Sequence, residues 1–103
     1  MTLRAWLRAR TPAAPARLAE RIEESLAERC DATDARAADA CLDAAGELLR
    51  EFLRRPSAGR ESALDLLAAD ALVTYAFEAA AREPATLVSR ADDAMRRLSA
   101  AAR

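Results

Sequence analysis

Residues 37–59, AADACLDAAGELLREFLRRPSAG, decide the fold. Ala38, Cys41, Ala45, Leu48 and Phe52 recur at alternating spacings of three and four, the period that stacks side chains on one face of an α-helix. Leu42, Leu49 and Leu53 flank that row and widen it into the broad apolar stripe of a helix packed inside a bundle. Pro56-Ser57-Ala58-Gly59 then ends the helix and turns the chain, because proline has no amide hydrogen to donate and glycine permits a tight reversal.

Working outward, the same grammar repeats. Upstream, Asp31, Thr33 and Asp34 are capping residue types ahead of this helix, which is expected to run to Arg55. Before them, Leu18, Ile22 and Leu26 fall at i, i+4 and i+8, so a helix is expected over 12–30, capped by Thr11 and begun by Pro12. Thr2 can cap a short helix through Arg8 with Leu3, Trp6 and Leu7 on one side. Downstream, residues 60–82 form the most apolar helix, with Leu64, Leu66, Leu67, Leu72, Val73, Tyr75 and Phe77 pointing in several directions. Glu83-Pro84 breaks it, and a last helix over 85–101 carries Leu87, Ala91, Ala94, Leu98 and Ala101 at heptad-like spacing, flanked by Val88 and Met95.

The expected fold is therefore all-α: an antiparallel four-helix bundle over 11–103 with a short amphipathic N-terminal helix in 1–10, together one domain spanning 1–103. The short connections make successive helices antiparallel. No period-two pattern marks a strand.

Composition narrows the chemistry. The chain has 29 alanines, all 16 basic residues are arginine, and Lys, His, Asn and Gln are absent. A GC-rich coding sequence accounts for that bias, so arginine in place of lysine carries little meaning for phosphate binding. Without histidine there is no imidazole base or imidazole metal ligand. Without lysine there is no Schiff base and no P-loop lysine. The i, i+4 carboxylate pairs Glu20/Glu24, Asp39/Asp43 and Glu47/Glu51 lack the Glu-x-x-His partner of di-metal bundles and read as solvated helix faces. Cys30 and Cys41 have no activating base, and Ser57, Ser62 and Ser89 read as capping or surface residues. No enzyme activity and no cofactor are expected.

A formal charge of −1 argues against binding nucleic acid through bulk charge. Charge is nevertheless uneven. Arg4, Arg8, Arg10 and Arg17 fall in a segment without acids, whereas residues 31–51 hold six acids against two arginines. Two cysteines make no disulfide framework, and no stretch is apolar enough for a signal peptide or a membrane span, so a reduced, cytoplasmic setting is expected. Gly46 stands in mid-helix, where close approach of another helix would justify it.

Two places can meet a partner. In the helix over 60–82, Asp70, Thr74 and Glu78 form a polar stripe, with Leu67 and Ala71 on one side, Leu66 and Phe77 on the other, and Ala69, Ala76, Ala79 and Ala80 opposite. The stripe faces solvent while the alanines pack on a neighbouring helix, or it is partly buried and pairs with Arg50, Arg54 or Arg60 within the bundle or across a dimer, or it builds a small-molecule site. In the N-terminal segment, Trp6 either folds back over the bundle end or docks onto a partner protein or an anionic surface. Trp6, Leu66, Asp70, Val73, Thr74, Phe77 and Glu78 are the resulting interaction candidates.

The run from Leu67 to Glu78, LAADALVTYAFE, resembles a helix of trans-isoprenyl diphosphate synthases, which carry a similar run with an Arg-Arg pair upstream, here Arg54-Arg55 at a shorter spacing. That family's two aspartate-rich motifs have no counterpart and its all-α fold is much larger. The likeness therefore implies one Ala-Leu-rich helix and not the activity. The expected function is a non-catalytic protein-interaction module that self-associates through the apolar surplus of residues 61–82. The competing expectation is a bundle holding a small apolar ligand near Tyr75 and Phe77, which needs a cavity of about 300 Å³ or more.

Overall fold

The structure, a computed structural model, describes residues 1–10, 12–55 and 59–103. Its helices are α1 (Leu3–Arg8), α2 (Ala16–Leu26), α3 (Ala37–Arg54), α4 (Arg60–Ala80) and α5 (Leu87–Ala101), with short 3₁₀ turns at Ala27–Asp31, Asp34–Arg36 and Pro84–Thr86. The fold is all-α, and the described residues contain no strand. No helix among them is long and apolar enough to cross a membrane. The cap expected of Thr11 and the turn expected at Pro56-Ser57-Ala58 lie outside the described residues.

Helix starts follow local chemistry. Thr2 caps α1 as expected, its Oγ1 accepting from the Ala5 amide at 3.2 Å. The second helix begins at Ala16 and not at Pro12. Pro15 holds an extended backbone before it, and a residue preceding proline is pushed out of the α region, so helix can propagate only beyond the second proline. It also ends early, at Leu26, where Ala27 takes a positive φ of 52°. Arg29 folds back on that end, donating to the carbonyls of Leu26 and Ser25 at 3.1 Å each. Thr33 then accepts from Ala35 N at 3.3 Å and opens the 3₁₀ turn that leads into α3.

The central pair is α3 and α4, which pack most extensively on each other. Helix α2 lies mainly against α4, and α5 mainly against α3. Ion pairs report the directions. Arg82, just past the end of α4, reaches Asp34, just before α3, at 3.6 Å, so these two helices are antiparallel. Arg90 meets Asp39 and Arg97 meets Asp43, so α5 ascends alongside α3. Arg21 binds Asp65 at 2.6 Å and fixes α2 to α4. For α3, α4 and α5 this is the up-and-down order that short connections dictate.

Half of the buried apolar residues among those described are alanine: ten of twenty. On α4 the buried face is Ala68, Ala69, Leu72, Ala76, Ala79 and Ala80, and on α3 it includes Cys41, Ala44, Ala45 and Leu48. Small side chains let helix axes approach towards the short end of the usual range of about 8–10 Å. Leu3, Trp6 and Leu7 of α1 join the same core, as do Ile22, Leu26 and Cys30.

Gly46 departs from expectation. A Cβ built there would meet only the Arg50 guanidinium of its own helix, at 3.7 Å, so no neighbouring helix requires the glycine. It borders an open cleft of about 90 Å³ lined also by Leu42, Asp43, Glu47, Arg97 and Leu98.

Candidate interaction surface

Helix α4 turns its alanines inward and its polar stripe outward. Asp70, Thr74 and Glu78 are exposed, and Thr74 Oγ1 donates to the Asp70 carbonyl at 3.1 Å within the helix. Asp70 has no ion pair among those described, and neither does Arg60. Glu78 meets Arg10 at 3.9 Å, a partner from the N-terminal segment in place of Arg50, Arg54 or Arg60. Within a single copy, then, the stripe faces solvent.

Apolar residues border that stripe on both sides. Leu66, Val73 and Phe77 fall within about 40° of one another around the helix axis. Leu66 is 47% exposed, while Val73 and Phe77 are half-buried. Across the stripe, Leu67 is 56% exposed. Two leucines in the first half of a helix whose other face lies in the core are thus left to solvent. Each forgoes roughly half of the 1.5–3 kcal/mol that full burial of a leucine contributes. On helix α5, Val88 is 76% exposed and Met95 63%. Their heptad spacing, off the inward stripe of Ala91, Ala94 and Leu98, was the available signal for placing them at the surface.

Trp6 stands apart from this surface. Only 3% of it is exposed, and it packs edge-on against Tyr75 with ring centroids 6.3 Å apart. The Arg10 and Arg82 guanidinium carbons lie 4.3 and 5.6 Å from its ring centroid. Its indole therefore covers the bundle end and is not presented to a partner. Backbone pairing holds the segment there: Leu3 N donates to Ala32 O at 2.9 Å and Asp34 N to Met1 O at 3.0 Å. Arg4 and Arg8 both bind Glu23, and Arg4 also binds Asp31 at 2.5 Å. Arg4, Arg8 and Arg10 of the basic N-terminal segment are thus matched by acids of the same chain.

The spaces beside Tyr75 and Phe77 are small. A cleft of about 150 Å³ lies beside Tyr75 among Leu7, Arg10, Ala19 and Ile22. About 30 Å³ separates Phe77 from Leu42, Arg90 and Ala94. Both fall short of the roughly 300 Å³ at which ligand pockets begin. A depression of about 300 Å³ does exist between α2 and α4, but charged side chains line it: Arg17, Glu20, Arg21, Glu24, Glu61 and Asp65. No group of three or more Cys, Asp or Glu among the described residues is arranged to hold a metal ion.

Both thiols are free and buried. Burial pushes the Cys41 pKa up to about 12 and raises that of Cys30 as well. Both therefore stay protonated at neutral pH and serve as small apolar fillers. Burial, and then the Glu78 carboxylate, also raise the Tyr75 phenol. No protein-family model, curated protein or solved structure matches the chain.

Proposed function

We propose that this protein is a non-catalytic interaction module that self-associates through the outer side of α4. The exposure of Leu66 and Leu67 on a helix that otherwise belongs to the core is the observation that carries this reading. A patch of this kind marks an association site.

Charge supports a second copy as the partner. If two α4 helices pack antiparallel about Leu66 and Leu67, residue 70 of one lies near residue 63 of the other, within an arginine's reach of residue 60. Each Arg60 then comes alongside the partner's Asp70, and the pair is made twice, as a two-fold axis requires. The two buried free thiols accord with a reducing, cytoplasmic setting.

Light scattering coupled to size exclusion tests the reading. The expected mass is twice that of the 11.1 kDa chain, falling to the chain mass in the Leu66→Asp, Leu67→Asp double variant with its helical circular dichroism retained. A monomer up to millimolar concentration in the unmutated protein would overturn it.

A further inference from the structure

We infer that α5 is an ionically latched strap that opens as a unit while α1–α4 stay folded. Its apolar grip on the bundle is slight. The residues it buries fully are Ala94 and Ala101, and Leu87, Ala91 and Leu98 are only half-covered. Val88 and Met95 contribute little burial at all. The helix has no side-chain cap, no acid in its first turn and no base in its last, so neither end of its dipole is compensated from within those turns. The connection before it, Ala81–Thr86 in sequence, contains Pro84 and a 3₁₀ turn, a natural pivot.

Charge supplies the latch. Arg90 reaches Asp39 at 3.5 Å while also contacting Glu83 at 3.8 Å and the Thr86 hydroxyl at 3.3 Å. Arg97 pairs with Asp43 one turn further along α3, and with Asp93 at 3.7 Å within α5. Both cross-helix pairs are partly solvent-exposed, which makes them sensitive to salt. The seat beneath is the α3/α4 groove lined by Ala38, Leu42, Ala76, Phe77 and Ala80, with the small gap already noted beside Phe77. Opening uncovers Leu42 and Phe77 and extends the apolar side of α4. Local opening of a marginally held element, below the global unfolding free energy, is common.

Hydrogen exchange followed by mass spectrometry tests this. In peptides covering 87–101, exchange is expected to exceed that of α4 peptides at low salt. It should rise further between about 0.05 and about 1 M NaCl, as the screening length falls below the pair separation. The Asp39→Asn, Asp43→Asn variant should exchange roughly twofold to thirtyfold faster in α5 at low salt, the range two exposed pairs allow. It should also have lost the salt response, with α4 protection unchanged. Repeating the series in the Leu66→Asp, Leu67→Asp variant separates the strap from self-association. Exchange in α5 no faster than in α4 would overturn the inference, as would a salt response that survives in the Asp39→Asn, Asp43→Asn protein.

Discussion

The guanidinium of Arg10 lies over the face of Trp6, 4.3 Å from the ring centroid. A six-residue helix has no stability of its own, because nucleation costs more than one turn returns. Helix α1 persists through what Trp6 buries against Tyr75, together with Leu3 and Leu7 and the backbone pairing to residues 32–34. Trp6→Ala is therefore expected to cost about 3–5 kcal/mol, the usual range for a large aromatic in a core. Arg10→Ala should cost about 0.5–1 kcal/mol, because that side chain is one-third exposed and the cation–π contact is correspondingly weakened. Urea unfolding followed by far-UV circular dichroism measures both. A loss below about 1 kcal/mol for Trp6→Ala would show that α1 does not depend on the indole.

Gly46→Ala should stabilise the protein. Glycine in a helix interior is destabilising by roughly 0.5–1 kcal/mol relative to alanine, and the added methyl here meets only the flexible end of Arg50. It also projects towards an open cleft of about 90 Å³. The expected gain of up to about 1 kcal/mol corresponds to a Tm rise of about 4–8 °C in a domain of this size. A calorimetric Tm that falls would reveal a contact that the geometry does not contain.

These two positions show what the sequence carried and what it did not. The helices, their order and their inward faces were legible because apolar spacing is a local property. Cys41, Ala45 and Leu48 on α3, and Ile22 and Leu26 on α2, are buried where their periodicity placed them. The start of α2 is not legible, because Pro12 and Pro15 each satisfy a first-turn rule and only the backbone conformation at Pro15 decides between them. Gly46 reads from sequence as a point of close approach, because spacing does not reveal whether a neighbour is there. Trp6 was ambiguous because its burial depends on Tyr75, nearly seventy residues away in the chain. On α4, the alanine face opposite Asp70, Thr74 and Glu78 is consistent with an outward stripe, but periodicity alone leaves a buried, paired or ligand-facing stripe open. The exposure of Leu66 and Leu67 required knowing that α2 and α5 lie elsewhere around the central pair.

Cys41 predicts an alkaline loss of stability. Its thiol has a pKa near 9.0 when unfolded and about 12 when folded, because burial disfavours the thiolate. Above pH 9 the unfolded chain releases this proton while the folded chain retains it. The unfolded state then binds fewer protons, and stability falls as pH rises, by about 1.4 kcal/mol per unit until the folded thiol ionises. Cys30 and Tyr75 are raised in the same direction and add to the decline. Unfolding free energies at pH 8, 9 and 10 should therefore drop less steeply in Cys41→Ala than in the unmutated protein. Parallel profiles would mean that the Cys41 thiol ionises as easily folded as unfolded.

The alanine faces of α3 and α4 give the last prediction. Ala45 and Ala68 are at most 1% exposed and belong to one core cluster with Leu48 and Leu72. Leucine has nearly the helix propensity of alanine, so either substitution by leucine leaves the isolated helix almost unchanged. It also adds apolar surface, which by transfer alone would favour folding. Packing decides against it. A side chain larger by three heavy atoms must push the two central helices apart or leave its preferred rotamers, at a cost of about 1–3 kcal/mol. Ala68→Leu and Ala45→Leu should each lower the urea midpoint without changing its slope, the signature of lost stability with an intact denatured state. A raised midpoint in either would mean that the α3–α4 contact has slack, and that the abundance of alanine in this chain does not set the distance between its central helices.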